Sequence, residues 1–280
     1  MTKIIYMDID GTLRDEREGI AESARKAVQA CREQGIYLVI CTGRNLGSVQ
    51  DDVLALGMDG IISAGGCDIR FQGKILAQKY FSMKLLGEIL EAVRKRKLGA
   101  ALEAETEIYM NGKAAGFYQE DFGRKIYGCE NAQQIREKNK IRYEDNFSQL
   151  WKDCEKIHKI CLWGTKDHIQ EITKKFLPDV QVVQEKEWNQ SWYLELLPRG
   201  CGKGKAVKFL NRYLNIKKED SMSFGDGDND IEMLKASGIG IAVQGGSEEL
   251  IKYADSVCGS PKENGVFLEL CRRGILHQNG

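Results

Sequence analysis

Three short apolar runs, at residues 3–7, 36–40 and 60–63, alternate with helix-like segments at 21–34 and 46–56, and this rhythm leaves few folds open. The runs are rich in β-branched and aromatic side chains without polar alternation, which marks strands buried on both faces. Strand, helix, strand, helix, strand then requires a parallel sheet with right-handed crossovers. The first helix carries Ala24, Ala27, Val28 and Cys31 at helical spacing and is stopped by Gly35. The expected class is therefore α/β, a doubly wound parallel sheet.

The rhythm then lapses. Residues 68–76 read as a hairpin turning at Gly73, and 84–96 as an amphipathic helix whose Lys/Arg-rich end, 94–97, is a solvated face. A second hairpin is expected where 107–110 and the run to Tyr118 flank Asn111-Gly112, a strong turn signal. Strand-like segments at 159–163, 181–184 and 192–196, with helix-like 167–176 among them, complete an α+β pattern. After Pro198 the alternation returns, with a helix at 204–214, a strand at 221–224, a helix at 230–236 and a strand at 239–243. A chain of 280 residues exceeds what one core needs. Two domains are expected: a core from 1–81 and 196–280, and an α+β insert at 82–195.

Lysine plus arginine and aspartate plus glutamate number 41 each, so no net field steers the molecule toward nucleic acid or an acidic membrane. Any anion must be bound locally. The nine cysteines are scattered singly without metal-ligand spacing, which favours reduced, mostly buried thiols. The opening residues turn acidic at Asp8, too early for a signal peptide, and no later run approaches membrane-spanning length. A soluble, cytoplasmic protein with no obligate protein partner is expected.

Four groups of residues carry potential chemistry. Asp8-Ile9-Asp10-Gly11-Thr12 follows the first strand directly. Two neighbouring carboxylates repel, so one is protonated or both face a cation, and magnesium suits few carboxylates plus phosphate oxygens. An ordinary Asp-Gly turn would also explain these residues. Gly225-Asp226-Gly227-Asp228-Asn229-Asp230 again follows a strand; a calcium loop fails because Ile231 stands at its glycine position and Ser237 at its glutamate position. Gly200-Cys201-Gly202-Lys203-Gly204-Lys205 resembles a P-loop only superficially, since Arg199, Ala206 and Leu197 break both possible registers. What remains is a lysine at a helix start, able to hold phosphate, or a solvated turn. Thr42-Gly43-Arg44 ends the second strand with a hydroxyl, a close-approach glycine and a cation.

In this order and spacing the chain resembles the haloacid dehalogenase (HAD) superfamily, specifically the Cof-type phosphatases with a large α/β (C2B-type) cap inserted in a HAD-like core. The motifs are Asp8-x-Asp10-Gly11-Thr12, Thr42-Gly43-Arg44, Lys203-Gly204, and Gly225-Asp226 with Asn229-Asp230, and the insert falls between the second and third. The resemblance implies that Asp8 attacks phosphorus to form an aspartyl-phosphate, with Asp10 as general acid and then base. It implies Mg2+ held by Asp8, the Asp10 carbonyl and Asp226, with Asp230 supporting that shell and Lys203. Thr42, Gly43, Lys203 and Asn229 would bind the phosphoryl oxygens, and Arg44 the substrate or the cap. The partner implied is a small-molecule phosphate ester of the sugar phosphate, nucleotide or flavin, or pyridoxal phosphate class. A sugar phosphomutase, or a non-catalytic phosphometabolite-binding protein, is the alternative.

Two departures from the family pattern lie near the expected phosphate: Gly65-Gly66 where Asn-Gly is usual, and Gln244-Gly245-Gly246 where an asparagine is usual. In the insert, Trp188, Trp192, Tyr193 and Glu195 are either cap core or candidates for stacking on a planar substrate.

Overall fold

The computed structural model describes residues 2–15, 17–117, 140–147, 150, 156–188 and 191–277. Tyr118, Cys129, Cys154 and the Trp188 side chain lie outside the described residues. Strands in chain order are β1 (Ile4–Met7), β2 (Tyr37–Cys41), β3 (Gly60–Ser63), β4 (Asp68–Phe71), β5 (Lys74–Gln78), β6 (Gly99–Glu103) and β7 (Ile108–Met110). They continue with β8 (Ile141–Tyr143), β9 (Lys159–Gly164), β10 (Val180–Trp188), β11 (Ser191–Pro198), β12 (Ser221–Gly225), β13 (Ile239–Val243) and β14 (Ser256–Cys258). The helices used below are α1 (Glu22–Glu33), α2 (Asp51–Leu54), α3 (Met83–Arg96), α4 (Lys166–Phe176), α5 (Lys203–Tyr213), α6 (Ile231–Ala236), α7 (Glu248–Ile251) and α8 (Gly265–Arg272). Among the described residues no helix is long and apolar enough to cross a membrane.

Two compact units form: Met1–Gly43 with Val49–Ala77 and Lys203–Gly280, and Arg44–Ser48 with Gln78–Gly202. In the first, the sheet order is β14-β13-β12-β1-β2-β3-β4-β5, parallel from β14 through β3, with β4 antiparallel to β3. Side chains alternate across it. Ile5 and Met7 pack with Ala27, Val28 and Cys31 of α1 and Val266 and Leu270 of α8. Ile4 and Tyr6 face the other way, onto Val207 and Leu210 of α5 and Met233 and Leu234 of α6. Each such aliphatic side chain, fully buried, contributes about 1.5–3 kcal/mol, which is why β1 tolerates no polar residue on either face. Tyr6 is satisfied inside that core, its hydroxyl donating to Asn211 Oδ1 at 2.7 Å.

The segment 46–56, expected as one helix, is instead a 3₁₀ turn at Leu46–Ser48 followed by the short α2. The cause is local: Ser48 N donates to Asn45 Oδ1 and Ser48 Oγ to Asn45 O, side-chain bonds that compete with a helical ladder. Gln50, between the two pieces, is extended at φ −70°, ψ 146°.

The second unit holds a six-stranded sheet, β10-β11-β9-β6-β7-β8, antiparallel except for β7 beside β8. One face packs on Leu86, Ile89 and Val93 of α3 and Ile169, Ile172 and Phe176 of α4. The hairpin expected at Asn111-Gly112 lies elsewhere: β6 and β7 turn across residues 104–107, where Ala104 N donates to Glu107 O. Asn111 instead accepts from Ala114 N and Ala100 N and donates to Leu98 O, so it starts a helical segment at 112–117. Asparagine serves helix starts as readily as tight turns, and these tertiary partners decide between them.

On the sheet's other face Tyr193 is buried, its hydroxyl 2.9 Å from Glu195 Oε2 and 3.1 Å from Cys161 Sγ. Glu195 and Glu103 in turn flank the buried Lys159 Nζ, at 3.8 and 2.9 Å. Trp192 packs partly buried against the helix-side core, with Lys166 Nζ over its ring. Of the two readings, this packing of Trp192 and Tyr193 is that of core.

Candidate active site

Parallel pairing puts the sequence motifs at one edge. Met7 lies level with Phe224 on β12 and with Ile40 on β2. The residues that follow must therefore leave the sheet together: Asp8, Gly225-Asp226, and Cys41-Thr42. Asp8 N carries the ladder one step further by donating to Phe224 O. Strand order reverses between β1 and β12, and such switch points open the crevice in which open α/β sheets bind ligands.

Lys203, the first residue of α5, is buried, and its Nζ lies 2.6 Å from both Asp8 Oδ1 and Asp230 Oδ1. The other Asp230 oxygen, Oδ2, accepts from the backbone N–H groups of Asp226 and Gly227. Asp226 Oδ1 accepts from Thr12 Oγ1 at 3.0 Å. Gly11 makes this approach possible: its φ is +82°, and a Cβ there would sit 2.4 Å from Asp226 Oδ2. No other residue type fits that position without moving a carboxylate.

Asp8, Asp226 and Asp230 each bring a carboxylate oxygen within 4.8 Å of the others. Burial, opposed by Lys203 and reinforced by Asp230 and Asp226, holds the Asp8 carboxyl well above its usual range. Burial and then Asp230 push Asp226 up to about 7, against the Thr12 hydrogen bond and Lys203. Burial alone would lower the Lys203 ammonium, but Asp230 and Asp8 keep it charged and raise it well above its ordinary value. Three carboxylates thus share one ammonium. An all-oxygen donor set with excess negative charge fits a hard divalent cation.

The Asp10 side chain has a different neighbour: Gln50 Nε2 donates to its Oδ1 at 3.1 Å. Thr42, directly after β2, is buried; its N donates to Ile62 O and its O accepts from Gly65 N. Gly43 lies against Asn229, whose Nδ2 is 3.7 Å from the position of a Cβ. Arg44 belongs to the second unit, with Nη1 donating to Ser48 O at 3.1 Å. Gly65 stands at φ +64°, a left-handed conformation open to both asparagine and glycine.

Sequence reasoning did not find two of these contacts. Thr12 sat in plain view within the first motif, but nothing in the sequence says that its hydroxyl reaches Asp226, 214 residues away. Gln50 carried no signal, being one polar residue in a segment expected as helix.

A doubly wound parallel sheet with three carboxylates gathered at its switch point, able to hold a metal ion, defines an α/β class of protein with its candidate site at the carboxyl edge. The chain belongs to the haloacid dehalogenase-like hydrolase family, which it matches over residues 5–270. It is 26% identical over 273 residues to the chloroplastic endoribonuclease YBEY of Arabidopsis thaliana, covering 94% of this chain but only 45% of that protein. It is also 26% identical over 289 residues to the phosphatase YwpJ of Bacillus subtilis, covering 94% of this chain and 97% of that one. The fold is that of the HAD subclass IIB sugar phosphatase BT4131, with a TM-score of 0.81 at 21% identity over 98% of this chain and 100% of that structure.

Proposed function

We propose that this chain is a magnesium-dependent phosphatase that hydrolyses a small-molecule phosphate monoester through an aspartyl-phosphate on Asp8. The observation that carries the reading is Asp8 itself, buried at the strand edge with Lys203 at 2.6 Å and two further carboxylates within 4.8 Å. A carboxylate so placed is stripped of water, and the adjacent ammonium opposes the rise that burial imposes on it.

In this reading an Asp8 oxygen attacks phosphorus in line, forming an O–P bond as the bond to the leaving oxygen breaks. Asp10 gives its proton to that oxygen, then takes one from the water that attacks the phosphoryl group and releases Asp8. Thr42, the Gly43 backbone, Lys203 and Asn229 hold the phosphoryl oxygens. Asp8, the Asp10 carbonyl and Asp226 would hold Mg2+, with Asp230 fixing Lys203 and the Asp226 backbone behind them. The bound ion supplies charge neutralisation, keeping the carboxylates ionised and offsetting the charge of the transferring group.

We assign the insert, 82–195, the choice of leaving group, because the residues above engage only the phosphoryl group and the oxygen that bridges to the leaving group. The described cysteines are free thiols, and all but Cys271 are buried, which supports a reducing cytoplasmic setting.

The test is phosphate release from p-nitrophenyl phosphate and a panel of phosphorylated metabolites. Turnover should require Mg2+, vanish with a chelator, and fall at least about a thousandfold in Asp8→Asn. No release from any ester, or an Asp8→Asn variant as active as the parent, would refute the reading.

A further inference from the structure

We propose that Gln50 is a positioning residue for Asp10, holding its carboxyl where it can reach the leaving oxygen and so governing how well esters of poor leaving groups are cleaved. The inference rests on the acid role proposed above for Asp10.

The Asp10 backbone is fixed by its own loop. Thr12 N, Leu13 N and Arg14 N all donate to Ile9 O, and Gly11 N donates to Arg14 O. Those bonds are made by backbone groups. Gln50 acts on the side chain: it is 7% exposed, and its Nε2 donates to Asp10 Oδ1 at 3.1 Å.

Two observations separate this contact from an incidental one. Gln50 Oε1 is buried with no hydrogen-bond partner. A buried amide oxygen left unpaired costs about 1–3 kcal/mol, so a side chain serving packing alone would more stably be apolar. The amide therefore spends its side-chain hydrogen bonding among the described residues on Asp10. Second, the segment that carries Gln50 is tied to the Asp10 loop by a side-chain ion pair. Arg14 Nε donates to both oxygens of Asp52, two residues beyond Gln50, at 3.0 and 3.3 Å. The backbone between the 3₁₀ turn and α2 is extended at Gln50, which fixes the start of its side chain. A chain of defined contacts thus runs from Arg14 through Asp52 to Gln50 and back to Asp10.

A general acid matters most when the departing oxygen is a strong base and least when it leaves readily. The discriminating measurement is therefore the ratio of kcat/KM for phenyl phosphate to that for p-nitrophenyl phosphate, two esters of similar shape. The nitro group makes the second leave without much proton assistance, whereas phenol has the high pKa of a tyrosine side chain, about 10. In Gln50→Met, which keeps length and volume but removes the N–H, this ratio should fall about tenfold or more, the worth of one hydrogen bond to a charged group. Gln50→Glu, which places a carboxylate against Asp10, should lower it as well. Because the ratio is internal to each preparation, a partly unfolded variant does not disturb it. Asp10→Asn must lower the same ratio if the acid role holds. A lowered ratio in Asp10→Asn with a parental ratio in both Gln50 variants would overturn the positioning role alone. An unchanged ratio in Asp10→Asn would overturn the acid assignment, and the role of Gln50 with it.

Discussion

Replacing Asp226 by asparagine should stabilise the metal-free protein, although it removes a proposed metal ligand. Without a cation the folded state buries Asp226 and crowds it against Asp230, so the Asp226 carboxyl holds its proton up to about 7 rather than the ordinary 3.8. The unfolded chain releases that proton near 3.8. The folded state therefore binds more protons between these values, and stability falls as pH rises through this window. Above about 7 the full penalty applies, on the order of 4 kcal/mol for a displacement of about three pH units. Asparagine carries no charge there, and its Oδ1 can still accept from Thr12 Oγ1. With EDTA at pH 8 the Asp226→Asn variant should melt about 5 °C or more above the parent, given 2–4 °C per kcal/mol for domains of this size. At pH 4 the difference should largely vanish. Adding Mg2+ should close most of that gap, since a ligand at a hundredfold excess over its Kd stabilises the binding-competent parent by about 2.7 kcal/mol. Differential scanning calorimetry across pH and Mg2+ reads all three outcomes. Equal melting of the two proteins at pH 8 in EDTA, or equal stabilisation of both by Mg2+, would refute the reasoning.

Other perturbations probe the same edge and the core beneath it. Gly11→Ala must place a Cβ 2.4 Å from Asp226 Oδ2 at a φ of +82°, so activity should drop more than about tenfold with about 1–3 kcal/mol of backbone strain; parental turnover would count against the close approach. Lys203→Met leaves Asp8 and Asp230 buried beside one another without their ammonium, which should remove about 3–5 kcal/mol in urea denaturation as well as turnover. Tyr6→Phe deprives Asn211 of a buried hydrogen bond and should cost about 1–3 kcal/mol while kcat stays at the parental value, since Tyr6 lies beneath the sheet edge and not at it.

Much of this molecule was readable from residue order because its main signals are local. Apolar runs without alternation mark strands covered on both faces, and β1, β2, β3 and β13 form where such runs occur. Parallel strands joined by helices all point their carboxyl ends the same way, so acidic loops after residues 7 and 225 had to meet at one edge. Where local signals were ambiguous, distant contacts decided. Asn111-Gly112 satisfies the rules for a hairpin turn, yet bonds to Leu98 and Ala100 make Asn111 a helix start. Segment 46–56 has helical composition, yet Asn45 and Ser48 bond to each other's backbone and break it.

The site divides along the same line. Asp8, Asp10, Asp226, Asp230 and Lys203 could be named from sequence because strand ends and motif order are chain-local facts. That Lys203 sits between Asp8 and Asp230, that Thr12 steadies Asp226, and that Gln50 reaches Asp10 are facts of side-chain geometry between segments 27 to 214 residues apart. Sequence determined which groups could do the chemistry, since that depends on residue type and on the strand each one follows. Tertiary structure alone decided which oxygen meets which donor, because hydrogen-bond distances of about 3 Å are set by packing across the whole sheet.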